Sequence, residues 1–169
     1  MPLPRDAQSF VAVIESNKGL IYKVANCYCR NEESRKDLLQ EIIIQLWLSF
    51  EKYDEKHKLS TWLYRIAMNV SISFFRKEHR RNEINQPLSD EILYLHEDDA
   101  PGESNTEIGQ LHRFIKELKE IDRAVIILYL EGNSQQEIAE ILGLTMTNVS
   151  TKVSRIKQQL RQKFSTIKE

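Results

Sequence analysis

Residues 134–160 read SQQEIAEILGLTMTNVSTKVSRIKQQL, and this pattern predicts two helices joined by a tight turn. Ser134 and Glu137 form an S-x-x-E capping box, which indicates where the first helix begins. Ala139 is small where a second helix must cross closely. Gly143 is expected to end the first helix, because glycine adopts a positive φ without steric cost.

The second of these helices has one apolar face and one polar face. Thr145 or Thr147 is available as its N-cap. Its apolar positions are spaced four, three and four residues apart, as one helical stripe requires: Val149, Val153, Ile156 and Leu160. The candidate DNA-reading residues on the other face are Asn148, Ser150, Thr151, Lys152, Ser154 and Arg155. An ordinary helical hairpin with a solvated polar face is the plainer alternative, but the capping box, the glycine and the second stripe together favour a helix-turn-helix that enters the major groove of DNA.

Charge is distributed unevenly along the 169 residues, although the formal net charge is only −1. Five basic residues and one acid lie at 65–81, and six basic residues lie at 148–169. Between these two blocks, residues 83–110 hold eight acids and no Lys or Arg. Two basic blocks separated by an acidic one indicate nucleic-acid contact at two places along the chain.

The sequence offers no pattern of an enzyme, a metal site or a membrane protein. Cys27 and Cys29 have no second Cys or His pair near them, so we interpret them as small, half-buried helix residues in a reducing cytosol. Because there is no nucleophile–base pair, phosphate-cradling glycine loop or metal cluster, we expect neither catalysis nor a cofactor. There is no signal peptide and no apolar run of transmembrane length, so we expect a soluble intracellular protein without membrane insertion.

Helical periodicity on both sides of the acidic stretch predicts an all-α fold. The N-terminal half is predicted to contain four helices, with a break at Asn17-Lys18-Gly19 between the first two. These helices are expected at 6–16, 20–30, 35–50 and about 60–81. The C-terminal half is predicted to contain four more, with Asp122 as the N-cap of the second and the helix-turn-helix at the end. The predicted organisation is two small helical domains, at 1–82 and 105–169, joined by an acidic linker at 83–104.

The helix predicted at 35–50 carries more apolar residues than one buried face needs. Its predicted core stripe is Leu39, Ile42, Ile43, Leu46, Trp47 and Phe50. A second face combines the carboxylates of Asp37 and Glu41 with the apolar side chains of Ile44 and Leu48. Either both faces are buried within the domain, or the second face docks a partner, and the pattern alone leaves both open.

Aromatic residues accompany the first basic block between residues 53 and 81. Rings beside cations are typical of single-stranded nucleic-acid binding, because bases stack on the rings while Lys and Arg hold phosphates. Trp62 and Phe74 are interpreted as core residues instead.

Four stretches in order, DLLQEIIIQLW at 37–47, LSTWLYRIAMN at 59–69, the acidic linker and EIAEILGL at 137–144, resemble bacterial sigma factors of the sigma-70 family. The resemblance is to the extracytoplasmic-function (ECF) group, which retains the domains called region 2 and region 4, and it covers nearly the whole chain. It implies a promoter-specificity subunit of RNA polymerase that recognises the −35 and −10 promoter elements and supports DNA melting. The implied partners are core polymerase, through the clamp helices of its largest subunit and its flap, together with promoter DNA and an anti-sigma factor. The implied location is the bacterial cytoplasm.

The resemblance also implies a role for each residue that matches a family motif. The polymerase-docking motif corresponds to Asp37, Leu38, Gln40, Glu41 and Ile44. Contacts to the −10 element correspond to Tyr53, His57, Asn69, Arg76, Lys77 and Arg80, with the loop at 53–60 capturing a flipped base. Thr151, Ser154 and Arg155 correspond to readers of the −35 element, and Ser150 and Lys152 correspond to residues that lie beside phosphates. The acidic linker corresponds to a segment that imitates RNA inside polymerase.

Two other kinds of protein remain possible from the sequence. One is a helix-turn-helix repressor or activator that acts on duplex DNA without joining polymerase, and which would be a dimer on a palindrome. The other is a helical adaptor that binds only protein, such as an anti-sigma antagonist.

Further along the reading helix, Lys157 is expected to contact phosphate if it contacts DNA at all.

Overall fold

The computed structural model describes residues 6–29, 31–85 and 106–167, and these residues form seven helices and no strand. The predicted all-α class is therefore confirmed. The chain divides into two compact units between residues 101 and 102. The helices are α1 (Ala7–Tyr28), α2 (Glu32–Phe50), α3 (Leu59–Asn85), α4 (Glu107–Glu117), α5 (Glu120–Leu130), α6 (Gln135–Leu142) and α7 (Met146–Ile167).

The first helix, α1, runs without interruption through the predicted break. Asn17 remains helical, and its side-chain amide donates to the carbonyl of Val13 at 2.8 Å. A glycine such as Gly19 costs a helix only about 1 kcal/mol relative to alanine. Burial of apolar residues on both sides of the glycine, including Phe10 and Val24, outweighs that cost. The prediction of two separate helices is wrong, and the described part of this unit has three helices instead of four.

The three helices of the first unit pack against one another around a single apolar core. From α2 the core takes Leu38, Ile42, Leu46 and Phe50, which are spaced four residues apart. The predicted stripe included Ile43 and Trp47, and both are exposed. Trp47 still contacts the core at its edge, because its ring lies 5.0 Å from that of Phe10 in T-shaped geometry.

The ends of α2 and α3 also differ from the predicted ones. Helix α2 begins at Glu32, because the Asn31 side chain accepts from the backbone N–H of Ser34 at 2.7 Å. Helix α3 continues to Asn85, beyond the predicted end near Arg81. The first three residues of the predicted linker at 83–104 thus belong to α3, and the rest lies outside the described residues.

The second unit contains the four helices that the sequence predicts, α4 to α7. Asp122 is not the N-cap of α5, because that helix begins earlier, at Glu120, and places Asp122 in its first turn. The connection from α4 to α5 is held by Arg123, whose buried guanidinium donates to the carbonyls of Lys116 and Leu118. This bond pattern fixes the start of α5 and therefore the position of Asp122 within the unit.

Candidate nucleic-acid and partner interfaces

The turn between α6 and α7 has the geometry of a helix-turn-helix. The Ser134 hydroxyl accepts from the Glu137 N–H at 3.1 Å, and the Glu137 carboxylate accepts from the Ser134 N–H at 2.8 Å, which confirms the capping box. Gly143 ends α6 in the left-handed conformation, with φ 67°. The Thr145 hydroxyl then accepts from the Asn148 N–H at 3.1 Å and caps α7.

Apolar residues fix the angle between these two helices. Val149, Val153 and Ile156 of α7 are buried, as predicted, and Leu160 is half-buried. From α6 the core takes Ile138 and Ile141, together with the small residue Ala139. Ile141 is buried, whereas its neighbour Leu142 is half-buried. Because Val149, Val153 and Ile156 are covered by the unit, the opposite face of α7 is directed away from it.

The residues predicted to read DNA lie along the outer part of α7. Asn148, Thr151, Ser154 and Arg155 are exposed, whereas Ser150 is half-buried. The Thr151 hydroxyl donates to the carbonyl of Thr147 at 2.9 Å, which leaves its oxygen lone pairs outward. The exposed set offers hydroxyl, amide and guanidinium groups at the surface, as major-groove contact requires.

Two cations of α7 are paired with one carboxylate of α5. The carboxylate of Asp122 on α5 accepts from Lys152 Nζ at 2.7 Å through one oxygen and from Arg155 at 2.9 Å through the other. The side chains of Asp122 and Lys152 are 15% and 20% exposed, whereas that of Arg155 is 50% exposed. Lys152 is therefore turned toward α5, and only Arg155 of this pair presents its charge outward.

Lys157 of α7 also contacts another helix of the same unit. Its Nζ lies 2.7 Å from the Tyr129 hydroxyl and 4.5 Å from the centre of the Tyr129 ring on α5. The ammonium is held by a hydrogen bond and by cation–π attraction. Lys157 was expected to contact phosphate only if it contacts DNA at all, and here its ammonium is bound to Tyr129.

A polar stripe runs along α3 in the first unit. Asn69, Ser73, Arg76 and Arg80 are exposed and follow one another at steps of four, three and four residues, which places them on one face. Lys77 is exposed on the flank of this stripe. The spacing of Asn69 and Arg80 corresponds to about 16 Å along the helix axis. The stripe is long enough to follow several nucleotides of a single strand.

The loop that precedes α3 is ordered by its own side chains. The Tyr53 hydroxyl donates to the carbonyl of His57 at 2.9 Å, and the Tyr53 ring lies 5.1 Å from that of Trp62. Partial burial, with Glu55 and Asp54 nearby, raises the pKa of the Tyr53 hydroxyl above its usual value, so it is a neutral donor at neutral pH. Trp62 is half-buried and reaches the loop, so it is not the purely interior residue that the sequence predicted.

One face of α2 is left uncovered by the described residues of the first unit. Asp37, Gln40 and Glu41 are exposed, and Ile44 and Leu48 on the same side are 50% and 62% exposed. The interpretation in which both faces of this helix are buried within the domain is wrong.

Leu38 is the exception among the residues assigned to docking by motif. Its side chain is completely buried in the core of the unit, so it cannot touch a partner directly. A role in supporting α2 from behind replaces its predicted role in polymerase binding.

The described residues contain no group of three or more His, Cys, Asp or Glu side chains arranged to hold a metal ion. Cys29 is buried and Cys27 is half-buried, and the described residues contain no disulfide bond. Burial, with Glu78 nearby, raises the pKa of the Cys29 thiol to about 12. In the part of the chain that the structure describes, no helix is both long and apolar enough to span a bilayer.

Both units match family models. Residues 13–81 match Sigma-70 region 2, and residues 108–160 match Sigma-70, region 4. The chain is 28% identical over 173 residues to the ECF RNA polymerase sigma factor SigW of Bacillus subtilis, and the aligned region covers 94% of this chain and 90% of SigW. It is 31% identical over 129 residues to the RNA polymerase sigma factor SigZ of the same organism, covering 75% and 70%.

A solved structure has the same fold. The sigma factor RpoE of Bartonella quintana, crystallised with the anti-sigma factor NepR, superposes with a TM-score of 0.69 at 20% identity, covering 92% of this chain and 93% of that one.

Proposed function

Because this chain belongs to the sigma-70 family and is an ECF sigma factor of RNA polymerase, we propose that its two units divide the work of promoter recognition through three surfaces. As a sigma factor it binds core RNA polymerase, recognises the −35 and −10 elements and supports DNA melting. The first unit offers a docking surface on α2 and a strand-holding surface on α3, and the second offers the reading face of α7. Polymerase performs the chemistry, and we assign this chain no catalytic residue.

The observation that carries the proposal is the uncovered face of α2. Asp37 and Glu41 supply two carboxylates, and Ile44 and Leu48 supply apolar area beside them. A repressor acting alone on duplex DNA has no need of such a face in addition to its helix-turn-helix. Exposed apolar area rimmed by charge is typical of a protein-binding site. We assign it to the clamp helices of the largest polymerase subunit, with Gln40 as a hydrogen-bonding member.

The polar stripe of α3 and the loop before it are assigned to the −10 element. Extruding a base from a duplex costs a few kcal/mol, and stacking on an aromatic ring returns about 1–3 kcal/mol per base. Several contacts are therefore needed at once. Tyr53 and His57 of the loop, with Asn69, Arg76 and Arg80 of the stripe, supply ring, amide and cationic groups in one unit, and Lys77 adds a further charge.

The reading face of α7 is assigned to the −35 element. Asn148, Thr151, Ser154 and Arg155 present donors and acceptors outward, and Ser150 lies beside them. Arginine is the commonest bidentate partner of guanine in the major groove. Lys152 is removed from the phosphate-contacting group, because its ammonium is bound to Asp122.

The second unit also offers a groove for the polymerase flap. It is lined by apolar side chains of α4 and α7, among them Ile108, Leu111, Leu160 and Phe164. Ile108 is exposed although it is a large aliphatic residue. An anti-sigma factor is a further proposed partner, since the structural relative RpoE was crystallised with one. The proposed place of action is the bacterial cytoplasm, where polymerase and promoter DNA meet.

The docking assignment is tested with purified bacterial core polymerase and two charge-matched variants. Asp37→Ala with Glu41→Ala removes both carboxylates of the docking face. The control, Glu15→Ala with Glu32→Ala, removes two exposed carboxylates that make short-range ion pairs with Lys18 and Lys36.

We expect the docking variant to lose at least tenfold in affinity for core polymerase, and the control to bind like the wild type. Both should unfold thermally within a few degrees of the wild type, because the four carboxylates lie at the surface. Normal binding by the docking variant would refute the assignment of α2 to polymerase.

A further inference from the structure

The carboxylate of Asp122 joins two helices of the second unit. It lies in the first turn of α5, and its partners Lys152 and Arg155 lie on α7, thirty and thirty-three positions later in the chain. Each carboxylate oxygen binds one cation, at 2.7 and 2.9 Å. With a side chain only 15% exposed, Asp122 is held more firmly than a surface acid.

The pairing leaves most of the Arg155 guanidinium available. Only one of its terminal nitrogens donates to Asp122. A guanidinium has five N–H donors in a planar fork, so an edge remains for bidentate contact with a base. The long side chain is thus tied at one corner while the rest of the fork points outward, at 50% exposure.

Lys152 has a different part in the cluster. Its ammonium is largely buried against Asp122, and it offsets the negative charge of the carboxylate. One acid and two bases leave a net charge of +1, carried outward by Arg155. The acid therefore does not make the reading face repel DNA.

A plainer explanation is that Asp122 stabilises only its own helix. Acids in the first turn are favoured by the helix dipole, and Glu120 of the same turn has that position too. The dipole, however, does not require both oxygens to bind cations of another helix. The geometry points to a second role that concerns α7.

We propose that Asp122 is a positioning residue for −35 recognition: it holds Arg155 in the orientation that reads one base, and Lys152 holds Asp122. This inference rests on the proposed role of α7 in reading the −35 element. It explains why a cation predicted to lie beside phosphate is instead turned inward.

The test uses the full chain bound to core polymerase. Duplex DNA with a randomised −35 segment is first enriched by the wild-type holoenzyme. A panel of single-base changes in the enriched sequence is then titrated with the wild type, Asp122→Asn, Arg155→Ala and the double variant. Glu120→Gln, which removes a charge from the same helical turn, is the matched control.

We expect Asp122→Asn to reduce discrimination roughly two- to twelvefold, the factor that corresponds to ordering one long side chain on binding. The loss should fall at the single panel position where Arg155→Ala also loses discrimination. In the double variant, the added change at Asp122 should cause no further loss of discrimination beyond that of Arg155→Ala alone. Glu120→Gln should discriminate like the wild type.

Two results of this titration would overturn the inference. One is unchanged discrimination by Asp122→Asn, and the other is a change in the affinity of Asp122→Asn that is equal on every panel member. Failure of the wild type to enrich any sequence would overturn the proposed function as well, whereas the other outcomes leave that function standing.

A second variant keeps the test independent of the folding of Asp122→Asn. Lys152→Gln should leave the salt dependence of DNA binding unchanged, because its ammonium serves Asp122. A lysine that binds phosphate contributes about one unit to the slope of log affinity against log salt concentration. A decrease of that size in Lys152→Gln would place Lys152 on the DNA and overturn the arrangement proposed here.

Discussion

Replacing Arg155 with alanine separates the reading of bases from the stability of the second unit. The ion pair with Asp122 is half exposed on the arginine side, so its loss should cost no more than about 1 kcal/mol of unfolding free energy. Loss of a bidentate base contact should cost about 1–3 kcal/mol of promoter affinity. That range corresponds to a dissociation constant that is roughly five- to 150-fold larger on the preferred −35 sequence.

The assay is a titration of holoenzyme against fluorescent duplexes that differ at single −35 positions. Arg155→Ala should lose affinity for the preferred sequence and lose preference at one position, while the other positions keep their ranking. Lys157→Ala is the matched cationic control on the same helix. Because the Lys157 ammonium binds Tyr129, Lys157→Ala should lower the unfolding free energy by about 1 kcal/mol. It should leave unchanged the affinities for the duplexes of the panel and the slope of log affinity against log salt concentration.

An equal loss of affinity by Arg155→Ala on every duplex of the panel would contradict base reading by Arg155. Arg155 would then contact phosphate only, and the face of α7 that enters the groove would differ from the one proposed. A weaker salt dependence in Lys157→Ala would likewise show that this ammonium leaves Tyr129 to bind DNA.

Three further predictions concern the fold, a thiol and the linker. Ser134→Ala should lower unfolding free energy by about 0.5–2 kcal/mol, because it removes one half of the capping box, and thermal unfolding followed by circular dichroism measures this. Cys29 should resist iodoacetamide at pH 8 while the other cysteine reacts faster, because a pKa near 12 leaves almost no thiolate there; equal labelling of the native protein would contradict this. Neutralising Asp98, Asp99 and Glu103 should change the ratio of abortive to full-length transcripts more than promoter affinity, and an unchanged ratio would argue against an RNA-imitating linker.

Local patterns predicted the second unit well. Each of three features depends on residues that are only a few positions apart: the capping box at Ser134, the glycine turn at Gly143 and the buried stripe through Val149 and Ile156. Interactions between residues so close in the chain can be predicted from the spacing of residue types in the sequence. The helix-turn-helix could therefore be located from the sequence.

The errors arose where tertiary contacts override local signals. The break predicted at Asn17-Lys18-Gly19 is absent, because burial on both sides of the glycine stabilises one long helix. Leu38 shares a motif with exposed residues but points into the core, since a motif does not state which face of α2 is covered. The Asp122 cluster could not be predicted, because its members are about thirty residues apart and follow no common period.

Run-off transcription shows whether this chain directs polymerase to start at a promoter. Purified core polymerase is supplied with a linear template that carries the sequence enriched by the holoenzyme, with and without this chain, and with the Asp37→Ala, Glu41→Ala double variant. We predict a transcript of defined length only when the wild-type chain is present, strongly reduced with the double variant and restored by raising its concentration. Absence of the transcript, together with binding of the free chain to a palindromic duplex as a dimer, would contradict a role as a sigma subunit and identify a regulator that acts without joining polymerase.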